Sequence, residues 1–170
     1  MNNISKIFTD AINEQFGAAI RMLEQNLKKC PEELWDDKTK GPSFWHVAYH
    51  AMWFLDWYLS DSKKSRENFK SKFGEENTHF ESLDKTPEII LTREQLFEYL
   101  SDIKEKARNR FEDLTSEDLI EPSVFEWHGN SVLSSLLYNL RHLMLHIGAL
   151  NLRLHRKDVK LKNWVSYQRI

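Results

Sequence analysis

Apolar residues recur every three or four positions along four stretches of the chain, which is the spacing of one face of an α-helix. The four stretches cover about residues 4–29, 42–60, 92–114 and 131–155. Pro31 follows the first stretch, and Pro42 suits the first turn of the second because its missing N–H is not needed there. Thr92 is followed three residues later by Gln95, which predicts a capping box at the start of the third helix.

The connections between these stretches differ in length. Residues 61–88 form a long polar connection between the second and third helices, typical of a bundle whose chain crosses over at that point. Residues 115–130 contain Pro122 and Gly129 and predict a short hairpin or an irregular turn. We therefore expect an all-α fold, an antiparallel four-helix bundle that forms one domain over residues 1–170.

Composition narrows the classes of partner and compartment. Hydrophobic residues make up 41% of the 170 residues and charged residues 29%, which predicts a soluble globular protein. The formal net charge of -2 gives no basic excess for nucleic acid, so a small molecule or a protein is the expected partner. Cys30 is the single cysteine, which fits a reducing cytoplasm. The most aromatic run is too short and too polar for a membrane span, and no signal peptide is evident.

Histidines carry the candidate chemistry. His142 and His146 lie four residues apart on the fourth helix, and His46 and His50 have the same spacing on the second. Each pair lies about 40° apart in helical projection, so two imidazoles can converge on one ion. An isolated pair is more typical of ordinary half-buried histidines with their own hydrogen bonds. Two pairs on two core-forming helices favour a metal site, and three imidazoles would leave a position for water or substrate.

Other metal chemistries fit less well. Neither histidine pair contains the glutamate of the zinc-protease motif, and the single Cys30 excludes a thiolate-rich zinc finger. A carboxylate-bridged di-iron bundle needs two Glu-x-x-His helices. The one match, Glu76 to His79, falls in the long polar connection. His79, His128 and His155 are interpreted as solvent-facing or loop residues, with the alternative for His128 that the turn before the fourth helix curls over the site.

Two stretches resemble the second and the last helix of the DinB-like proteins, also called DinB/YfiT-like metalloenzymes. The residues concerned are Ser43-Phe44-Trp45, His50 and Phe54–Ser60 in the first stretch, and Tyr138–His142 and His146–Asn151 in the second. The resemblance implies a four-helix bundle with up-down-down-up connectivity, often a homodimer. It implies a divalent metal, commonly zinc or nickel, held by three histidines. Matched onto this chain, these are His50, His142 and His146, whereas His46 does not match a ligand position.

The resemblance also implies a class of reaction. Characterised DinB-like proteins include thiol transferases and isomerases that use bacillithiol, mycothiol or glutathione. We therefore expect a metal-dependent transferase that activates a low-molecular-weight thiol as cosubstrate for a small-molecule substrate. The alternatives are a metal-dependent hydrolase and a non-catalytic dimeric bundle stabilised by its metal. Iron and manganese stay open beside zinc and nickel, because imidazole suits several metals, and no general base is identified.

Several neighbouring positions are candidates for orienting the ligands or lining the pocket. These are His46, Asn139, Phe54, Trp57 and Leu143. Asn139 lies one turn before the fourth-helix pair and could orient a ring N–H or contact substrate. Asp56 projects about 120° from His50, which favours a helix cap or a surface salt bridge.

The fourth helix is apolar on more than one face. Tyr138, Leu145 and Leu152 lie outside the core stripe and predict burial in a homodimer. Ala149 departs from the family pattern, since DinB-like proteins often carry glutamine there. This loss of a polar group could change contacts with substrate or with a second subunit.

Overall fold

The computed structural model describes residues 3–70, 72–73, 80–161 and 164–170. The four long helices are α1 (Asn3–Lys29), α3 (Phe44–Tyr58), α5 (Arg93–Glu112) and α7 (Val132–His155). The shorter helices are α2 (Glu32–Trp35), α4 (Lys63–Glu67) and α6 (Ser116–Ile120), with a 3-10 turn at Glu126–His128. No strand occurs in these described residues, so the predicted all-α class is confirmed.

The helix ends follow the capping residues. Thr92 Oγ1 accepts the N–H of Gln95 at 3.2 Å, and Gln95 Oε1 accepts the N–H of Thr92 at 2.8 Å, which forms the predicted capping box. The start of α3 differs from the prediction. Ser43 is extended at φ -63° and ψ 165°, so the helix begins after it and Pro42 lies outside the first turn. The preceding Gly41 has a φ of +109°, and the chain therefore turns sharply before it enters α3.

The four long helices pack around one core. α1 contacts α5 and α7, and α3 contacts the same two helices, so that each long helix lies between two others. Successive contacts between two neighbouring helices show whether the residue numbers of the two helices rise in the same direction or in opposite directions. They include Phe16 with Phe111 and Glu24 with Lys104 between α1 and α5, Tyr49 with Tyr99 and Asp56 with Lys106 between α3 and α5, and His50 with His146 and Leu55 with Asn139 between α3 and α7.

A buried carboxylate joins α3 to α5. Lys106 Nζ lies 2.6 Å from Asp56 Oδ1, and the Tyr99 hydroxyl donates to Asp56 Oδ2 at 2.8 Å. Asp56 is 9% exposed. The sequence predicted a helix cap or a surface salt bridge for Asp56. The ion pair exists, but it lies inside the interface because α5 packs on that side of α3.

The connections are more structured than the sequence suggested. Residues 61–88 contain α4, and Phe80 in the same connection is 2% exposed, so the connection packs against the bundle at Phe80. Residues 115–130 contain α6 and the 3-10 turn, and all of them are described, so the predicted hairpin is wrong and the irregular turn is correct. No helix in the described part of the chain is both long and apolar enough to cross a membrane.

The last described segment, residues 164–170, crosses α1 at Gly17. Gln168 N–H donates to the Glu14 carbonyl at 3.2 Å, and Ile170 N–H donates to Asn13 Oδ1 at 3.0 Å. A Cβ atom at Gly17 would overlap the carbonyl oxygen of Gln168. The missing side chain at Gly17 therefore permits this close approach of the two backbones.

Candidate metal centre

Three histidines meet where α3 packs against α7, the most extensive interface between helices in the described chain. His50 comes from α3, and His142 and His146 come from successive turns of α7. The ring centroid of His50 lies 5.4 Å from that of His142 and 4.5 Å from that of His146. One ligand nitrogen from each ring lies within 4.8 Å of the others. These are the three residues that the family resemblance implied, and the fold brings them together.

The spacing of the α7 pair suits one ion. His142 Nε2 and His146 Nε2 are 3.2 Å apart. Two nitrogen ligands of a tetrahedral zinc, each bound at about 2.0–2.1 Å, would be about 3.3 Å apart. The pair therefore already has nearly the separation that a shared metal requires. In the described residues this cluster is the one group of three histidine, cysteine or acidic side chains that could hold a metal ion.

The long connection orients His50. His50 Nδ1 lies 2.5 Å from the carbonyl oxygen of Glu81. A carbonyl only accepts hydrogen bonds, so Nδ1 carries the proton and Nε2 keeps its lone pair. Hydrogen bonding of the far ring nitrogen to a carbonyl is the usual way in which a protein fixes a metal-ligating histidine. Glu81 was missed at the sequence level, because nothing in a polar connection marks which carbonyl will face a helix.

The electrostatics keep the cluster neutral. Burial lowers the pKa of His142 to about 4, and the proximity of His50 adds to this effect. Burial lowers the pKa of His146 to about 3, with His50 and His142 contributing. The pKa of His50 is also lowered, chiefly by burial, although the Glu81 carbonyl and carboxylate oppose this. Neutral imidazoles at neutral pH present the lone pairs that a metal needs.

The neighbouring positions predicted from the sequence differ in whether they contact the three histidines. Phe54 contacts the cluster, with its ring centroid 4.8 Å from that of His50 and 4.9 Å from that of His142. Leu143 is fully buried in the core. Trp57 stacks on Tyr58 and donates its indole N–H to the carbonyl of Arg66, and no ring contact joins it to the three imidazoles.

His46 and Asn139 are both buried without joining the cluster. His46 Nε2 lies 3.1 Å from the carbonyl oxygen of Phe80, which occupies that nitrogen. Asn139 Nδ2 donates to the carbonyl of Leu55 at 3.2 Å, so this side chain joins α7 to α3 and does not bond to a ring N–H. Two buried atoms on this face of α7 have no hydrogen-bond partner, His142 Nδ1 and Asn139 Oδ1.

His128 differs from its sequence-based interpretation. It lies in the 3-10 turn before α7, but it is only 7% exposed. Its ring stacks on Tyr138 with centroids 3.9 Å apart, and its Nδ1 lies 2.9 Å from Ser135 Oγ. The ring of Tyr58 meets His128 at 4.3 Å and His142 at 6.0 Å, so an aromatic cluster connects this turn to the metal centre.

The remaining histidines bear less on the site. His155 is exposed at the end of α7, as the sequence predicted. The Glu76–His79 match to a di-iron motif lies outside the described residues. Three neutral imidazoles from two helices, one of them fixed by a carbonyl, can bind a divalent cation and leave a coordination position open.

Comparison with known proteins gives a family match that spans this site. A family model described as the DinB superfamily matches residues 15–150, which include all three histidines and well over half of the chain. No significant match was found among curated proteins. No solved structure matches significantly either.

Proposed function

The chain belongs to the DinB superfamily, and from that premise we propose that it is an enzyme whose metal is held by His50, His142 and His146. The observation that carries the proposal is the convergence of three ligand nitrogens within 4.8 Å. Zinc and nickel are the metals proposed, and iron and manganese are the alternatives that imidazole also suits. A site with three protein ligands and an open position is the pattern of catalytic metal sites.

The proposed reaction is transfer of a low-molecular-weight thiol to a small electrophilic substrate. A divalent cation bound here would supply positive charge that lowers the pKa of a thiol and favours its nucleophilic thiolate. The protein contributes the fixed orientation of His50 through Glu81 and the apolar wall of Phe54. A hydrolase would use the same open position for water, and the choice between the two depends on substrate assays.

A non-catalytic role is the alternative from a different class. The three ligands come from α3 and α7, so a bound ion would join the two helices and stabilise the bundle. Under this alternative the metal raises the free energy of unfolding, but no thiol or other small ligand binds beside it.

Metal content is the first measurement. Elemental mass spectrometry on the untagged protein should find close to one divalent ion per chain, and His50→Ala and His142→Ala should each lose it. His46→Ala is the matched control, because His46 lies one turn from His50 and its Nε2 is occupied by Phe80. Absence of metal after incubation with zinc, nickel and manganese would refute the proposal.

Thiol transfer is the second measurement. The metal-loaded protein is assayed with bacillithiol, mycothiol and glutathione against an electrophilic aryl halide. Turnover that disappears in His142→Ala and persists in His155→Ala would support the transferase. Stoichiometric metal with no turnover and no thiol binding would favour the structural alternative.

We propose that α7 also forms a homodimer interface. Leu145 and Leu152 are 68% and 49% exposed, and Leu137, at 52%, lies on the same side of the helix with the exposed Gly148 and Ala149. Tyr138, which the sequence grouped with them, instead stacks on His128 of the same chain. This apolar stripe supports contact with a second copy of the chain. Sedimentation should give a dimer mass for the native protein and a monomer mass for Leu145→Glu.

The proposal also covers the connectivity of the helices, the number of domains and the cellular compartment. We propose that the four long helices run up-down-down-up and form one domain. The ordered contacts support this, because their residue numbers run in opposite directions for α1 with α5 and for α3 with α7, and in the same direction for α3 with α5. A cytoplasmic location is proposed because Cys30 is the single cysteine and is buried as a free thiol.

A further inference from the structure

Two buried polar atoms lie close together on α7 at the metal centre. His142 Nδ1 and Asn139 Oδ1 both lack a hydrogen-bond partner among the residues that the structure describes. The two residues are three positions apart on the helix, so their Cβ atoms are separated by about 5–6 Å. Both side chains also reach the same turn of α3. Asn139 Nδ2 donates to the carbonyl of Leu55 at 3.2 Å, and the ring centroid of His142 lies 4.9 Å from that of Phe54.

The position of one proton explains why the two atoms are not bonded to each other. His142 Nε2 and His146 Nε2 are 3.2 Å apart, so one of them carries a proton and the other accepts it. If His142 Nε2 is the donor, then His142 Nδ1 has only a lone pair. The amide oxygen of Asn139 is an acceptor as well, and two acceptors cannot form a hydrogen bond.

Binding of a metal through Nε2 requires the other tautomer of His142. A neutral imidazole that coordinates through Nε2 carries its proton on Nδ1. In metal sites this second N–H is almost always donated to a carboxylate, a carbonyl or water, and the bond fixes the ring. The Glu81 carbonyl has that role for His50. For His142, Asn139 Oδ1 is a neighbouring buried carbonyl oxygen that accepts no hydrogen bond from the described residues.

We propose that Asn139 is the positioning residue of His142, and that its Oδ1 accepts the Nδ1 proton when His142 Nε2 is a ligand. This inference rests on the proposed metal centre and gives the two unpartnered atoms a common purpose. Without a ligated metal, the His142 proton lies on Nε2 and is donated to His146. When the site is filled, the proton lies on Nδ1, and the hydrogen bond to His146 is exchanged for one to Asn139.

Zinc affinity provides the first test. Competition titration of the full chain against a fluorescent chelator at neutral pH should give a dissociation constant that is about tenfold or more higher for Asn139→Leu than for the wild type, as is usual when the partner of a ligating histidine is removed. Asn139→Asp retains an acceptor oxygen and should recover most of the lost affinity, although it can no longer donate to Leu55.

Asn26→Leu is the matched control. Asn26 is 1% exposed, and its Nδ2 donates to the carbonyl of Ile147 at 3.5 Å, so it is a second buried asparagine that joins α7 to another helix. Both leucine variants should lower the free energy of unfolding in EDTA, but Asn26→Leu should keep the wild-type zinc affinity. Equal zinc affinity in Asn139→Leu and the wild type would overturn the positioning role and leave the metal centre intact. A wild type that binds no zinc would refute both.

Nitrogen-15 NMR of the histidine rings provides the second test, because it reports which ring nitrogen carries the proton. In EDTA at neutral pH, His142 Nδ1 should have the chemical shift of an unprotonated nitrogen, and with zinc that of a protonated one. The proton on Nδ1 should be shifted downfield by its hydrogen bond, and this shift should disappear in zinc-saturated Asn139→Leu but persist in Asn26→Leu. A protonated Nδ1 in EDTA, or an unchanged proton shift in Asn139→Leu, would overturn the proposal.

Discussion

Replacing both α7 histidines with leucine should stabilise the metal-free protein and abolish its response to metal. His142 Nδ1 is buried without a hydrogen-bond partner, and such an atom costs about 1–3 kcal/mol. Because the ring is only half-buried, the lower end of that range applies. The hydrogen bond between His142 and His146 disappears with both of its partners, a loss that is close to neutral when apolar groups replace them.

The expected gain is therefore about 1 kcal/mol for His142→Leu/His146→Leu in EDTA. In a protein of 170 residues this corresponds to about 2–4 °C in Tm. Each single replacement should raise the free energy of unfolding by less than half as much as the double replacement does. The reason is that a single replacement leaves the Nε2 of the other histidine without its hydrogen-bond partner at 3.2 Å. The four proteins form a double-mutant cycle, which isolates this coupling from the packing changes.

Urea titrations with EDTA and with excess zinc provide the assay. At free zinc 100-fold above the dissociation constant, the wild-type protein should gain about 2.7 kcal/mol, and the double variant should gain nothing. His155→Leu is the control, since His155 is exposed at the end of α7 and should keep the full gain. The reasoning would be refuted if the double variant lost more than about 1 kcal/mol in EDTA, a loss typical of a real packing defect.

Three further outcomes are expected from urea titration and proteolysis. Burial lowers the pKa of His146 to about 3, so between that value and the ordinary 6.5 the unfolded chain binds a proton that the folded chain does not. The metal-free protein should have its full free energy of unfolding above about pH 6.5 and lose stability as the pH falls toward 3; a flat profile would contradict this. Tyr99→Phe should lower the free energy of unfolding by about 2 kcal/mol, because the buried hydroxyl donates to the Asp56 carboxylate at 2.8 Å, and a loss below 0.5 kcal/mol would count against it. Gly17→Ala should detach residues 164–170 from α1, since its Cβ would overlap the Gln168 carbonyl oxygen, and limited proteolysis should then cut there; an unchanged digest would disprove the contact.

Helical geometry explains how much of the site could be predicted from the sequence. A spacing of four residues places two side chains on one face, and the apolar stripes require α3 and α7 to face the same core. The pair of His142 and His146 was therefore predictable as a neighbour of the pair of His46 and His50 once the bundle was inferred, and the family resemblance pointed to His50. The sequence pattern alone could not separate His50 from His46, which has the same spacing. The structure separates them, because Phe80 occupies the Nε2 of His46 and Glu81 bonds only to the far nitrogen of His50.

The positions that could not be predicted depend on segments without periodicity. A connection has no sequence periodicity from which to predict which of its carbonyls will contact a helix, so the contacts of Phe80 and Glu81 could not be predicted. The burial of His128 was not predictable for the same reason, since its 3-10 turn has only three residues. Asp56 shows a different limit. The projection correctly placed it off the metal face, but it could not show that α5 would bury it beside Lys106.

The unsatisfied polar atoms show where the fold departs from maximal stability. The buried side-chain atoms without a partner in the described chain belong to Ser43, Ser60, His128, Asn139 and His142. All five residues lie on α3 or α7 or within a few positions of their ends, whereas α1 and α5 contribute none. Natural proteins retain such costs where function requires them. The polar atoms that still need partners therefore lie on the α3–α7 side of the bundle, which also carries the histidine cluster.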